Sequence, residues 1–335
     1  MAFEFLKEGY QVRGTVRDIK NTSKYKFVEQ FPNKENLEIY QLNLENQEEI
    51  EKAVKGCEYI AHVASPVIMS SKVEERHVVN PAIEGCLYIL FAASKYNVKA
   101  VVVTGSVAAN SFKHKRPVQN NGHNITIIDE NDWSNLEGIE KFGSYVKSKT
   151  LEEKKAWEYY QTIDPSNRFR LSFINPSFVF GPFFTEQAKS SAIILYKLMN
   201  REIPRIPDVT FNCVDVRDVA KAHRLAIETP EADGKRFICN GELLHMRQIC
   251  EIVRPDYPEL NIPTADANYY FLYLLSFCKS ELNFVIFSWG KTVKFETTRI
   301  QDILKMKYTP IKTTIQEMAR CLVEKGIIKP PKKEK

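Results

Sequence analysis

The 335-residue sequence predicts an α/β fold built on a doubly wound parallel sheet. Short apolar strands alternate with helices along most of the chain, which is the pattern of βαβ units. The run Ala100–Thr104 is apolar on both faces, as expected of a parallel strand that helices cover on each side. Residues suited to binding follow several strands, at the sheet edge where ligands of such folds bind.

The first half of the chain supplies most of the predicted sheet. A helix from Met1 to Glu8 ends at Gly9, because glycine readily adopts the conformation that terminates a helix. Strands are predicted at Gln11–Arg17, Leu37–Leu42, Tyr59–Val63, Ala100–Thr104 and Phe169–Ile174. Helices are predicted at Gln47–Lys55, Asn80–Tyr96 and Tyr145–Gln161, and the second of these carries Ile83, Leu87, Leu90 and Phe91 on one side.

The second half predicts a smaller lobe. A loop and helix at Phe183–Arg201 precede short strands at Phe211–Val216 and Phe237–Cys239, and the pattern is mostly helical from Glu242. We therefore expect a nucleotide-binding domain from 1–180 and 208–240, a substrate lobe from 181–207 and 241–328, and a flexible tail at 329–335.

Composition narrows the class of protein. A net charge of +5, from 47 basic and 42 acidic residues spread along the chain, is too dilute to predict a nucleic-acid partner. The seven cysteines show no metal-binding spacing, so we expect reduced core thiols, no metal site and a cytoplasmic location. No membrane span is predicted, because Lys279 and Glu281 interrupt the apolar run Tyr269–Trp289, which is expected to line the helical lobe.

Tyr145 and Lys149 lie four residues apart and therefore share one face of a predicted helix. An ammonium near a phenol stabilises the phenolate, which suits proton transfer to a carbonyl oxygen. The alternative is an amphipathic helix whose lysine extends past its tyrosine. Tyr308 and Lys312 have the same spacing, but Pro310 between them makes an unbroken helix there unfavourable.

Four segments are predicted to converge at the carboxyl edge of the sheet. Arg17, Ala64, Ser106 and Pro176 each lie at or just beyond the end of a predicted strand. Because the carboxyl ends of parallel strands meet at one edge, these residues are expected to surround one ligand.

Several sequence blocks occur in the order typical of one enzyme branch: Gly14–Asp18, Val54–Cys57 leading to His62–Pro66, Asp129–Trp133, Tyr145–Leu151, Asn175–Pro182 and Val214–Ala220. On these blocks the chain resembles the dihydroflavonol reductase, cinnamoyl-CoA reductase and yeast methylglyoxal reductase branch of the extended short-chain dehydrogenases. The resemblance implies a Rossmann-type sheet and an NADPH-dependent reduction of an aldehyde or ketone. The implied partner is a small carbonyl or alcohol substrate, and the chain is expected to be a monomer or homodimer.

The resemblance also implies catalytic roles. Ser106 corresponds to the serine whose hydroxyl donates to the substrate carbonyl, and Tyr145 corresponds to the proton donor. Lys149 corresponds to the residue that binds the nicotinamide ribose and stabilises the phenolate. Gly105 departs from the serine that is common at its position.

For the cofactor, NADP(H), the implied contacts begin at Arg17. A guanidinium at the end of the second strand suits a 2′-phosphate, whereas an enzyme specific for NAD usually has a carboxylate there. The alternative is a surface arginine at a strand end. The other implied contacts are Lys24, Asn43, Leu44, Ala64, Ser65, Pro66, Tyr145, Lys149, Pro176 and Val179.

The family's first strand and its glycine-rich phosphate-binding turn are not in the sequence, which begins within the helix that follows them. Because that strand is central, its absence predicts a gap in the sheet. Two explanations stay open: a start further upstream, or a non-catalytic relative that acts as a binding or scaffold protein. A nucleotide-sugar epimerase or hydroxysteroid dehydrogenase is a further alternative, as is an acidic-substrate contact from the predicted loop at 110–124.

Overall fold

The computed structural model describes residues 1–65, 76–112, 117–120, 123–138, 144–185, 191–279 and 282–329. Pro66, Phe142, the basic residues 114–116 of the predicted loop and the tail from residue 330 lie outside these ranges, as do residues 186–190. Predictions that fall on those positions are not addressed by the description that follows.

Six parallel strands form the main sheet in two parts. Their bounds are β1 Val12–Val16, β2 Leu37–Gln41, β3 Tyr59–His62, β4 Ala100–Thr104, β7 Arg170–Pro176 and β10 Lys235–Cys239. β1 pairs with β2, while the other four follow the order β10-β7-β4-β3. Within the described residues no ladder joins β1 to β3, so the sheet is divided where the absent strand was predicted to leave a gap.

Helices cover both faces of this sheet, which confirms the doubly wound arrangement. The helices of this half are α1 Ala2–Lys7, α2 Gln47–Val54, α3 Arg76–Lys95, α4 Ala108–Ser111, α5 Ser144–Thr162 and α7 Val216–Glu228. α2, α3 and α5 bury one apolar cluster against β4 and β7. α1 and α7 bury another against the opposite face. Gly9 follows α1 with φ 86°, as its predicted role as a terminator requires.

The predicted apolar side of α3 is fully buried only at Leu90. The helix also buries Cys86 and Ala93, whereas Phe91 is 41% exposed and Ile83 and Leu87 are only half-buried. Small residues mediate the packing: a Cβ on Gly85 would come within 3.1 Å of Leu44 Cβ. The periodic pattern favoured large side chains, but close packing of α3 selects the small residues of the neighbouring stripe.

Six further strands form two smaller sheets. β8 Phe178–Phe180, β9 Thr210–Asp215 and β11 Glu242–His245 form one, and β5 Pro117–Asn120, β6 His123–Ile128 and β12 Thr292–Phe295 form the other. The predicted loop at 110–124 thus contains a strand and the start of its hairpin partner. The prediction of a mostly helical region after Glu242 missed β11 and β12, because their partners are distant in sequence. β7 also continues through Asn175 and Pro176, beyond its predicted end.

The remaining helices are α6 Ala192–Met199, α8 Met246–Val253, α9 Tyr269–Ser276, α10 Leu282–Ser288, α11 Thr298–Leu304 and α12 Ile311–Glu324. α6, α8 and α12 share a core with β8 and β9. α11 packs with α1 and α7 instead. The proposed division into two lobes stays a prediction.

The described part of the apolar run Tyr269–Trp289 contains two helices, α9 and α10, as expected, but α9 buries none of its residues. Tyr270 and Phe277 are each 75% exposed, so the expectation that this run lines a lobe is wrong for α9. None of the helices in the described ranges has both the length and the apolarity needed to cross a bilayer. All seven cysteines are free, but Cys278 is exposed rather than in a core.

Candidate active site

Lys149 is fixed at the carboxyl end of β4 by contacts to the backbone and to a carboxylate. Its Nζ donates to Thr104 O at 3.0 Å and to Glu152 Oε2 at 3.0 Å, and the side chain is only 4% exposed. Burial by itself lowers the pKa of the ammonium, but Glu152 and then Tyr145 oppose it, and the net change in the Lys149 pKa is upward. Lys149 is therefore a buried cation at neutral pH.

Tyr145 lies one turn before Lys149 on α5 and is half-buried. Ser106 follows β4 and is 8% exposed; its Oγ accepts from the backbone N–H of Ala108 at 3.1 Å. The segment that carries Ser106 leads into α4, which begins at Ala108 and packs against α5, the helix that carries Tyr145. The alternative reading of Lys149 as a surface lysine extending to solvent is wrong, because its ammonium is buried.

Gly105 is required by the position of Asn175. A Cβ at residue 105 would fall 2.0 Å from Asn175 Oδ1, closer than any atom can approach. Asn175 cannot easily move, because its Nδ2 donates to Asn110 Oδ1 at 3.0 Å and to Glu153 Oε2 at 3.2 Å. In this structure a side chain at residue 105 would therefore displace Asn175 from these contacts.

A buried ion pair lies behind Asn175. Arg236 donates to both carboxylate oxygens of Glu153, at 2.6 Å and 3.1 Å, and stacks 3.6 Å from the centre of the Trp133 ring. Its other nitrogen donates to the backbone carbonyls of Glu130 and Asp132. The Asp129–Trp133 block, which was used above only to recognise the family, is thus the support of this network. Sequence reasoning missed Arg236, whose partners lie about a hundred residues earlier.

His223 on α7 anchors the end of β4 from the other side. Its Nδ1 lies 2.8 Å from Val219 O, which can only accept, so this nitrogen is the donor. Burial lowers the pKa of His223 to about 4, so the ring is neutral and its Nε2 accepts from the Thr104 hydroxyl at 2.7 Å. No pattern in the sequence pointed to this residue.

The residues expected on the cofactor side lie at strand ends. Arg17 directly follows β1 and is exposed; in the described part of the chain no carboxylate pairs with it. The other positions of this group are placed as follows: Lys24 is exposed in the loop after β1, Asn43 and Leu44 follow β2, Ala64 and Ser65 follow β3, Pro176 ends β7, and Val179 lies in β8. Leu44 packs on Gly85 of α3.

His62, Cys86 and Glu152 place metal-capable atoms within 4.8 Å of one another beside Lys149. Burial and then Lys149 lower the pKa of His62 to about 3, and burial raises the pKa of Cys86 well above its usual value, so both are neutral at pH 7. The Lys149 ammonium already supplies the positive charge at Glu152. A second cation there would be strongly repelled in a buried site, so we assign no metal ion.

Comparison with known proteins decides the family. Residues 4–248 match the 3-beta hydroxysteroid dehydrogenase/isomerase family. The chain belongs to this family.

Within the family the most similar relatives include plant reductases. The chain is 31% identical over 322 residues to cinnamoyl-CoA reductase 2 of Arabidopsis thaliana, which covers 96% of this chain and 87% of that protein. It is 32% identical over 272 residues to the bifunctional dihydroflavonol 4-reductase/flavanone 4-reductase of Malus domestica, covering 79% and 74%. These relatives confirm the predicted reductase branch and support an oxidoreductase.

Among solved structures, yeast methylglyoxal/isovaleraldehyde reductase Gre2 in complex with NADPH superimposes with a TM-score of 0.75. The sequences are 25% identical, and the match covers 97% of this chain and 94% of Gre2. The Rossmann-type fold is thereby confirmed for this member of the 3-beta hydroxysteroid dehydrogenase/isomerase family. The catalytic and cofactor-binding residues named above stay predictions.

Proposed function

We propose that the chain is an NADPH-dependent reductase that converts an aldehyde or ketone to an alcohol. The observation that carries the proposal is the buried Lys149 ammonium, held by Thr104 O one turn from Tyr145. A buried cation beside a half-buried phenol, at the carboxyl end of a parallel strand, is an arrangement suited to proton transfer.

Each of the three side chains then has a distinct role. Ser106 donates a hydrogen bond to the substrate carbonyl oxygen and stabilises the charge that develops there. Tyr145 transfers its phenolic proton to that oxygen, and Lys149 stabilises the phenolate that remains. When bound, NADPH would supply the hydride for the carbonyl carbon, which balances the proton from Tyr145 and gives an alcohol and oxidised cofactor.

Three observations support NADPH as the cofactor. Arg17 is exposed at the carboxyl end of β1, where it can form paired hydrogen bonds with a 2′-phosphate. Lys24 lies in the following loop and is also exposed. Yeast Gre2 is a structural relative that binds NADPH. The cytoplasmic location and the choice between monomer and homodimer remain predictions of the sequence.

The test begins with titrations of the 335-residue chain with NADPH and with NADH, and tryptophan fluorescence reports the binding. NADPH oxidation is then measured with isovaleraldehyde as the carbonyl substrate. Tyr145→Phe is expected to reduce kcat by at least about 100-fold, since it removes the proton donor. Tyr308→Phe is the matched control: Tyr308 has the same spacing to a lysine, but Pro310 separates it from α12, which begins at Ile311.

A folded chain that binds neither nucleotide would contradict the proposal. Equal activity of Tyr145→Phe and Tyr308→Phe would contradict the role given to Tyr145, even where NADPH binds. Tighter binding of NADH than of NADPH would contradict the role of Arg17 and leave the reductase assignment standing.

A further inference from the structure

Glu152 forms a buried ion pair with the lysine of the candidate site. It lies three residues beyond Lys149 on α5, is 2% exposed, and its Oε2 accepts from Lys149 Nζ at 3.0 Å. Ser65 Oγ lies 3.4 Å from the same oxygen, whereas Oε1 has no hydrogen-bond partner within the described chain. A buried carboxylate held by a single strong donor usually has a role beyond stability, because burying it is costly.

The charges around this pair are few. His62 from β3 and Cys86 from α3 face it and are neutral at pH 7. Glu153, the next residue on α5, is neutralised by Arg236. Burial raises the pKa of Glu152 while the ammonium opposes that change. Lys149 and Glu152 are therefore the two groups whose ionisation is coupled at this end of α5.

We propose that Glu152 is a positioning residue that keeps the Lys149 ammonium charged to higher pH. The inference rests on the proposed function. An ammonium without a carboxylate partner loses its proton more easily, and a negative charge 3.0 Å from Lys149 Nζ opposes that loss. Glu152 thus extends the pH range in which a cation lies beside Tyr145.

Glu152→Gln removes the charge and keeps an oxygen that accepts from Lys149. In this variant the Lys149 ammonium should lose its proton at lower pH. The alkaline limb of kcat for aldehyde reduction is expected to move down by about one pH unit, the lower end of the effect of a neighbouring charge. The dissociation constant of NADPH at pH 6.5 should change by less than about tenfold, the factor that corresponds to a shift of one pH unit in the alkaline limb.

Two variants separate this effect from structural damage. Glu152→Asp restores the negative charge and should return the alkaline limb toward that of the wild type. Glu158→Gln is the matched control, because Glu158 lies on the same helix and pairs with Lys155 at the same three-residue spacing, but on the surface. It should leave the pH profile unchanged.

A second readout does not depend on activity. The rate at which acetic anhydride acetylates Lys149, measured by mass spectrometry across pH, reports the fraction of neutral amine. The midpoint should fall by about one pH unit in Glu152→Gln relative to the wild type and to Glu158→Gln.

The outcomes separate this inference from the proposed function. Wild-type activity with an unshifted alkaline limb in Glu152→Gln would overturn the role of Glu152 and leave the reductase assignment intact. An inactive wild-type chain would overturn the reductase assignment, and the acetylation midpoint would then decide: an unchanged midpoint overturns the coupling, and a lowered one supports it.

Discussion

Replacing Gly105 with alanine adds a methyl group where the side chain of Asn175 lies. The new Cβ would fall 2.0 Å from Asn175 Oδ1 and 3.1 Å from Cγ, so the amide must turn away. Turning breaks the donations of Asn175 Nδ2 to Asn110 Oδ1 and Glu153 Oε2. A neutral hydrogen bond contributes about 1 kcal/mol and one to a charged group about 2 kcal/mol, so the variant should lose about 3 kcal/mol of unfolding free energy.

Urea unfolding, monitored by circular dichroism, measures this loss of unfolding free energy, with the midpoint and slope fitted for each variant. Gly14→Ala is the control, because the atoms nearest to a Cβ there are the ends of the Ile39 and Leu37 side chains, at 3.3 Å and 3.4 Å, and Glu38 O is 3.9 Å away. It should change stability by less than about 1 kcal/mol. In an Asn175→Ala background, Gly105→Ala should cost little, since the obstructing amide is gone. An equal cost in both backgrounds would refute the reasoning.

Three further predictions concern the network, the buried histidine and the cofactor. Arg236→Met should destabilise the fold by about 3–5 kcal/mol, because it leaves the Glu153 carboxylate buried without an ion-pair partner. Adding Glu153→Leu should recover much of that loss, and a double variant whose loss equals the sum of the two single losses would contradict this account. Burial lowers the pKa of His223 in the folded chain to about 4, so between pH 6.5 and 4 the unfolded chain binds more protons than the folded chain. The free energy of unfolding should therefore fall by up to about 3 kcal/mol as the pH drops from 6.5 to 4. His223→Gln should flatten that part of the urea-unfolding profile, and an unchanged slope would count against it. Arg17→Gln should weaken NADPH binding about tenfold and NADH binding little, whereas Lys294→Gln should affect neither; an equal loss for both nucleotides would contradict a contact to the 2′-phosphate.

The alternation of strands and helices, and the strand ends at Arg17, Ala64, Ser106 and Pro176, could be predicted from the sequence. These features depend on local periodicity and on the chain order of parallel strands, which are properties of contiguous segments. The spacing of Tyr145 and Lys149 also predicted a shared helical face, because an α-helix places residues four apart on one side. Pro310 alone was enough to predict that Tyr308 and Lys312 do not share a helix.

Tertiary structure decided the features that join distant segments. β6, the second strand of the hairpin, pairs with β12, which lies more than 160 residues later in the chain. Pairing over such a distance leaves no local signal in the sequence. The packing of small residues selected the buried stripe of α3 over the larger one that periodicity favoured. Arg236, His223 and Asn175 act through partners on other elements, so the support of the candidate site was invisible in the sequence. The sequence by itself determined which chemical groups reach the sheet edge, and the tertiary structure decided which charges surround them, because burial and neighbouring charges depend on the folded environment.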